Sequence, residues 1–170
     1  MKTSDKHITF ATAVRETPPL KLCLGLQALK GTSRRHIKVA DTSSIGGSVH
    51  LDEAYRASQP NAPRWDYGIA YRQDRETIYW VEIHPADNSH VDRIIKKAEW
   101  LGKWLQSDGH RFHSFPNCRI WVATGGRMLT AKDRKSKKLA ESGVTCVGNV
   151  LRIPQKIGER QPLCTPTINV

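Results

Sequence analysis

The chain has 170 residues, 38% hydrophobic and 25% charged, which suits one soluble domain with a core of its own. No apolar run approaches the ~20 residues of a membrane span, and the first residues lack the apolar block of a secretory leader, so a cytoplasmic location is the expectation. Lys and Arg total 27 against 16 Asp and Glu, a net charge of +11, and this balance favours a polyanion partner because each cation set on a phosphate releases condensed counterions.

Residues 1–16 show no clear period and read as an arm. A helix is expected over 17–29, with Thr17 as N-cap, Pro18 in the first helical position and Gly31 just past the end. Leu20, Leu22, Cys23, Leu24, Leu26 and Leu29 make it apolar on most sides, as for a helix packed on a sheet. A basic loop, 33–38, follows. Gly46 and Gly47 open a strand over 48–56, and a proline-bearing link leads to a second strand over 65–71. After a polar turn, 72–76, a third strand covers 77–85, rich in aromatic and β-branched residues.

A long helix is expected from Ser89 as cap to Gln106, with Asp92 completing an approximate capping box. Its core stripe is Val91, Ile94, Ile95, Ala98, Leu101 and Leu105; Trp100, Trp104, Lys96, Lys97 and Lys103 lie off it. A fourth strand, 118–123, is apolar enough for burial on both faces. A basic helix over 131–142, capped by Thr130 and ended by Gly143, precedes a fifth strand over 144–153. Residues 154–170 read as irregular. The implied architecture is α/β in a single domain over 1–170, with its core at about 17–153: a mixed sheet flanked by helices, antiparallel first and parallel last. Cys23, Cys118, Cys146 and Cys164 form no CxxC pair and read as isolated, mostly buried thiols.

The hairpin of the second and third strands carries the chemistry. With its turn centred between Asp74 and Arg75, Tyr71 faces Ile78, and Asp66 falls opposite Ile83, one position from Glu82. Cross-strand carboxylates roughly 5–8 Å apart at Cβ repel unless one is protonated or a cation lies between them. Glu82 and His84 project to one face by the period of two. A hard cation, Mg²⁺ or Mn²⁺, would take oxygens from Asp66, Glu82 and the Ile83 carbonyl and keep several waters. His84 would then orient or deprotonate a water, or stabilise charge developing on a phosphate. The plain structural alternatives are an Asp66–Arg64 strand-end ion pair, a salt bridge for Glu82 and a satisfied strand-end histidine. His110, His113 and Cys118 match no standard zinc spacing, and Gly125-Gly126-Arg127 lacks the Lys-Ser/Thr of a P-loop.

The element order, with Arg64-Trp65-Asp66 on the second strand and Glu82-Ile83-His84 on the third ahead of a long helix, resembles the PD-(D/E)XK nuclease superfamily over roughly 17–153. That resemblance implies a restriction-endonuclease-like αβββαβ core plus a further helix. It also implies metal-dependent hydrolysis of phosphodiester bonds in DNA, less so RNA, with Asp66 and Glu82 as metal ligands. Trp65 stands where the family usually has proline. His84 stands where it has a lysine that positions the attacking water. Three alternatives follow: His84 does that work, a lysine from the following helix does (Lys96, taken as the catalytic candidate, or Lys97), or catalysis is lost and a nucleic-acid-binding fold remains. An accessory acid is common in the family; Glu16, Asp52 and Glu53 are the options, and Glu53 is preferred as a metal ligand. Arg34, Arg35, Lys97, Lys103, Arg134, Lys135 and Lys138 are the candidate nucleic-acid contacts. A homodimer and a protein-interaction role in a defence or toxin system are the remaining partner options.

Overall fold

The computed structural model describes residues 7–87, 89–125 and 133–155. Five strands make the central sheet in the order β2-β3-β4-β5-β6, where β2 is Ile45–His50, β3 Tyr67–Arg72, β4 Glu76–Pro85, β5 Asn117–Thr124 and β6 Val144–Val147. The first three pair antiparallel and the last three parallel, as the element order requires. A second, parallel pair joins β1 (Ile37–Val39) to β7 (Leu151–Ile153).

The period of two in β4 sends Ile78, Trp80 and Glu82 to one face and Tyr79, Val81 and Ile83 to the other. The first face packs under α1 (Phe10–Arg15) and the long α4 (His90–Gln106), through Phe10, Val14, Val91, Ile94, Ala98 and Leu101. Trp104 joins that core, its ring 5.6 Å from Trp80 and 5.5 Å from Phe112. The second face is covered by the small sheet through Ile37, Leu151 and Ile153. The expected core stripe of α4 is buried, with Ile95 packed at its margin. No helix among the described residues is long and apolar enough to cross a membrane.

Several expected elements are corrected. The first helix lies at 10–15, not 17–29. Thr9 caps it by accepting from the Thr12 amide, and Phe10, Ala13 and Val14 are its buried face. Thr17 does not start a helix; its hydroxyl donates to the Ala13 carbonyl (2.8 Å), closing α1. Pro19 disfavours the α conformation at Pro18. The leucine-rich stretch that follows runs irregularly, and Cys23 exchanges two backbone hydrogen bonds with Ser48 of β2, each 2.9 Å. The basic segment 33–38 is not a plain loop: it takes in the end of a short helix, α2 (Gly31–Arg34), a turn and the start of β1.

The first central strand ends at His50, because Leu51 and Tyr55, four apart and both buried, form one face of a short helix, α3 (Leu51–Tyr55). The segment 144–153 is two strands in two different sheets. The basic helix, α5 (Arg134–Glu141), is capped by Asp133, whose carboxylate accepts from the Lys135 amide; Thr130 lies outside the described residues. Cys23 and Cys146 are free thiols, but Cys118 is disulfide-bonded, which corrects the expectation of isolated thiols there.

Gly68 of β3 sits under Trp80: a Cβ built on it would lie 2.6 Å from the indole Cζ3 and 3.1 Å from Val49 Cγ2. Gly68→Ala is expected to lower stability by about 1–3 kcal/mol through overpacking. Chemical denaturation checks this, and an unchanged midpoint would contradict the β3–β4 register.

Candidate active site

The turn between β3 and β4 fixes which acids meet. Arg72 pairs with Glu76 across a three-residue loop, so Tyr71 faces Thr77 and Tyr67 faces Val81. The expected register is therefore off by one, and the observed one carries Asp66 to the position directly opposite Glu82. Beyond Val81, β4 runs on without β3 and pairs only with β5, from Glu82–Trp121 to Pro85–Thr124. Asp66 closes that gap. Its amide donates to Glu82 Oε2 (3.1 Å), and its Oδ2 accepts from the Ile83 amide (3.4 Å). Its carbonyl accepts from the amides of Leu51 (2.8 Å) and Asp52 (3.4 Å), tying down the start of α3.

Lys97 comes to this pair from α4. Its Nζ makes a close ion pair with Glu82 Oε1 and lies 3.5 Å from Asp66 Oδ1. The side chains of Glu82, Lys97 and Asp66 are 1%, 15% and 22% exposed, so the site opens to solvent on the Asp66 side. Burial, and then the Asp66 charge, push the Glu82 carboxyl up from its ordinary 4.5 to about 8, with Lys97 pulling the other way. Burial opposes the charge on Lys97, but the two carboxylates outweigh it and raise its pKa.

Lys96 or Lys97 was the lysine expected from the helix, with Lys96 taken as the catalytic candidate and Lys97 also as a nucleic-acid contact. Lys97 is the one that enters the site, and Lys96 is exposed on α4. The signal was present in the sequence. Position 97 lies three after Ile94 and four before Leu101, both core positions, so a lysine there faces the sheet. A charge in that place needs an acid partner.

Arg64 does not pair with Asp66. Its guanidinium holds Asp52 Oδ1 (Nη2, 3.0 Å) and the carbonyls of Gln59 and Ala62, so the Asp66 carboxylate is left to Lys97 and Ile83. Glu53 lies on α3, not a strand; its side chain is 59% exposed and paired with Arg56 (3.1 Å). Glu16 pairs with Arg111 (3.1 Å). Neither joins the pair. Among the described residues no group of three or more His, Cys, Asp or Glu side chains could hold a metal. An ion here would rest on Asp66, Glu82, the Ile83 carbonyl and water. That sparse, all-oxygen set suits magnesium, which keeps most of its waters. Because the Ile83 amide faces Asp66, its carbonyl lies along the same strand edge.

His84 stands two residues past Glu82. Its backbone carbonyl accepts from the Trp121 indole (3.0 Å), and its ring packs edge-on against His90 at 4.5 Å. Burial, then the charges of His90, Lys97 and Arg93, hold its pKa below the usual histidine value. His50, which sequence reasoning did not single out, ends β2 with its ring 4.6 Å from Tyr67. Burial lowers its pKa, against the pull of Asp66 and Asp52.

Basic side chains rim the same end of the sheet. The Tyr67 hydroxyl lies 3.3 Å from Ser33 Oγ, which brings α2, with exposed Arg34 and Arg35, beside the Asp66 end of β3. Arg134 and Lys138 are exposed on α5, which buries Leu139, and Lys135 is half-buried. Lys103 does not join them: it is exposed in the last turn of α4, at the far end of that helix from the His90–His84 contact. No protein-family model, curated protein or solved structure matches this chain, so the reading of the site rests on its geometry.

The raised Glu82 pKa sets a sign for stability. The folded state holds this proton more tightly than the unfolded chain, so the contribution is full below about 4.5 and lost as pH rises through about 8. Glu82→Gln keeps the shape without the titration. Melting curves across that window should show the variant gaining on the wild type as pH rises; a constant difference between the two would contradict the assignment.

Proposed function

We propose that this chain is a metal-dependent nuclease of the PD-(D/E)XK type, hydrolysing phosphodiester bonds in DNA. The observation that carries this reading is the convergence of Asp66, Glu82 and Lys97 where β4 outruns β3. Once Glu82 gives up the proton that burial makes it hold, the carboxylate pair answered by one ammonium keeps one negative charge, so a divalent cation would bind here in exchange for that proton. Mg²⁺ or Mn²⁺ held by Asp66, Glu82 and the Ile83 carbonyl would supply Lewis-acid polarisation of the phosphate and acidify a water. Lys97 supplies the positive charge that the family places on the strand. Its ammonium donates hydrogen bonds and can hold a phosphoryl oxygen or the attacking water. His84, kept neutral by burial and its cationic neighbours, is left as a proton acceptor near the pair. The basic rim of α2 and α5 supplies backbone contacts to the polyanion.

The test is cleavage of single-stranded, duplex and branched DNA with Mg²⁺ or Mn²⁺. Asp66→Ala, Glu82→Gln and Lys97→Ala should each lower the rate by roughly 10²-fold or more, while Lys96→Ala should cleave like the wild type. Absence of metal-dependent cleavage on every substrate, or full activity in Lys97→Ala, would overturn the reading.

A second reading is favoured by one observation, the direct ion pair of Lys97 with Glu82. In it, Lys97 is a permanent counter-ion, and the fold binds nucleic acid without metal or cleavage. Calorimetry separates the two: a Mn²⁺ site abolished by Asp66→Ala fits the nuclease, and absence of Mn²⁺ binding fits the binding protein.

A further inference from the structure

We propose that the outer face of the small sheet is a docking surface for a nucleic-acid backbone, with Lys38 and Arg152 as the pair that clamps one phosphate. The inference rests on the nucleic-acid reading above, but not on cleavage or on a metal.

β1 and β7 run parallel with Lys38 directly opposite Arg152. The residues beside them, Ile37, Leu151 and Ile153, are buried against the central sheet. The period of two therefore turns Lys38 and Arg152 outward, and both are exposed. Neighbouring strands lie about 4.8 Å apart, so the two cations repel each other, and such a pairing weakens a sheet. Neither side chain makes an ion pair among the described residues.

The two segments that carry the pair bring no acid with them. Neither Asp nor Glu occurs from 17 through 40 or from 142 through 155. Asp41, just past β1, has its carboxylate taken by the Ser43 amide (2.9 Å) and by the hydroxyls of Ser43 (2.6 Å) and Ser44 (2.8 Å). What continues from the pair is more positive charge, toward the acid site. Lys30, Arg34 and Arg35 are exposed on and around α2, which leads straight into β1. The Tyr67 hydroxyl, 3.3 Å from Ser33 Oγ, holds α2 beside the start of β3, next to Asp66. A strand leaving the edge of the sheet at Asp66 over α2 meets the small sheet next.

A phosphodiester backbone complements this face. It presents regularly spaced single charges, and the two free oxygens of one phosphate can take a guanidinium fork and an ammonium together. Bound there, it cancels the repulsion between Lys38 and Arg152 that the protein alone leaves standing.

Lys38→Glu turns the like-charged pair into a cross-strand ion pair, so it separates binding from stability. The melting midpoint is read without DNA. Binding is read in EDTA by fluorescence anisotropy on labelled single-stranded and duplex oligonucleotides of several sequences over a range of NaCl concentrations. Lys38→Glu should raise the midpoint, yet weaken binding to every sequence and make the salt dependence shallower by about 1 in slope. Arg152→Glu should do the same. Arg75→Glu, in the β3–β4 turn at the end of the sheet away from Asp66, should leave the slope at the wild-type value. A lowered midpoint would contradict the pairing of the two cations and overturn the clamp. Equal slopes for Lys38→Glu and Arg75→Glu, or wild type that binds phosphatidylserine vesicles and no DNA at low salt, would overturn the surface. The two readings fail separately. A shallower slope with no metal-dependent cleavage removes the nuclease and keeps the surface; cleavage with an unchanged slope removes the surface and keeps the nuclease.

Discussion

The structure turns on one carboxylate. Glu82 lies on the core face of the central strand, beneath α4, where Trp80 and Ile78 are its neighbours along the strand. A carboxylate in such a place is tolerated only with partners that restore what water would have given. Lys97 and the Asp66 amide are those partners. Their positions are not independent. Lys97 reaches Glu82 only if α4 packs in one rotation, which its buried stripe sets. The Asp66 amide reaches it only if β3 starts opposite Val81. Asp66 then uses its carboxylate for Ile83 and its carbonyl for the start of α3. One residue thereby couples the ends of β2, β3 and β4.

Charge around this knot is distributed unevenly. Arg64 is the cation nearest to Asp66 in sequence, yet it is taken by Asp52 and by backbone carbonyls. Were it paired with Asp66, the two acids and two cations would cancel and the site would be electrostatically mute. With Arg64 diverted, a single ammonium answers two carboxylates. When Glu82 is ionised one negative charge remains there, and the neighbouring α2 and α5 carry exposed basic side chains. A cation is drawn to the centre of such a pattern and a polyanion to its border, and a metal-assisted phosphodiesterase needs both at once.

How much of this was legible followed from how local each signal is. The long helix carries its stripe in its own sequence, and the strands of the hairpin alternate openly, so those elements and the pair Asp66–Glu82 could be read directly. The segment 17–29 could not. Six apolar side chains without a clear face carry no period, and the two prolines read as a helix start when they followed a helix that had already ended. The parity of the turn after Arg72 was also out of reach: three or four loop residues look alike in sequence and move every partner by one. The separation of β6 from β7 depends on distant contacts, since Leu151 takes its backbone partner from His36 and Asn149 accepts from the Gly125 amide. Lys97 is different. It was named as an alternative to Lys96, and its place between Ile94 and Leu101 could have decided between the two, because position rather than residue type sets which lysine faces the sheet.

That last point bears on the histidine at position 84. A strand residue two beyond Glu82 and a residue on the crossing helix approach the same carboxylate from two directions, and a lysine stem is long enough to serve from either. What chemistry needs is an ammonium beside two carboxylates, not a lysine at a fixed place in the chain. With Lys97 supplying that charge from α4, a second lysine at 84 would crowd like charges at a half-buried spot. An imidazole that burial keeps neutral avoids the repulsion and retains hydrogen-bonding atoms. On the nuclease reading, His84 is therefore the consequence of the lysine having moved to the helix, and not a sign that the site has lost its charge.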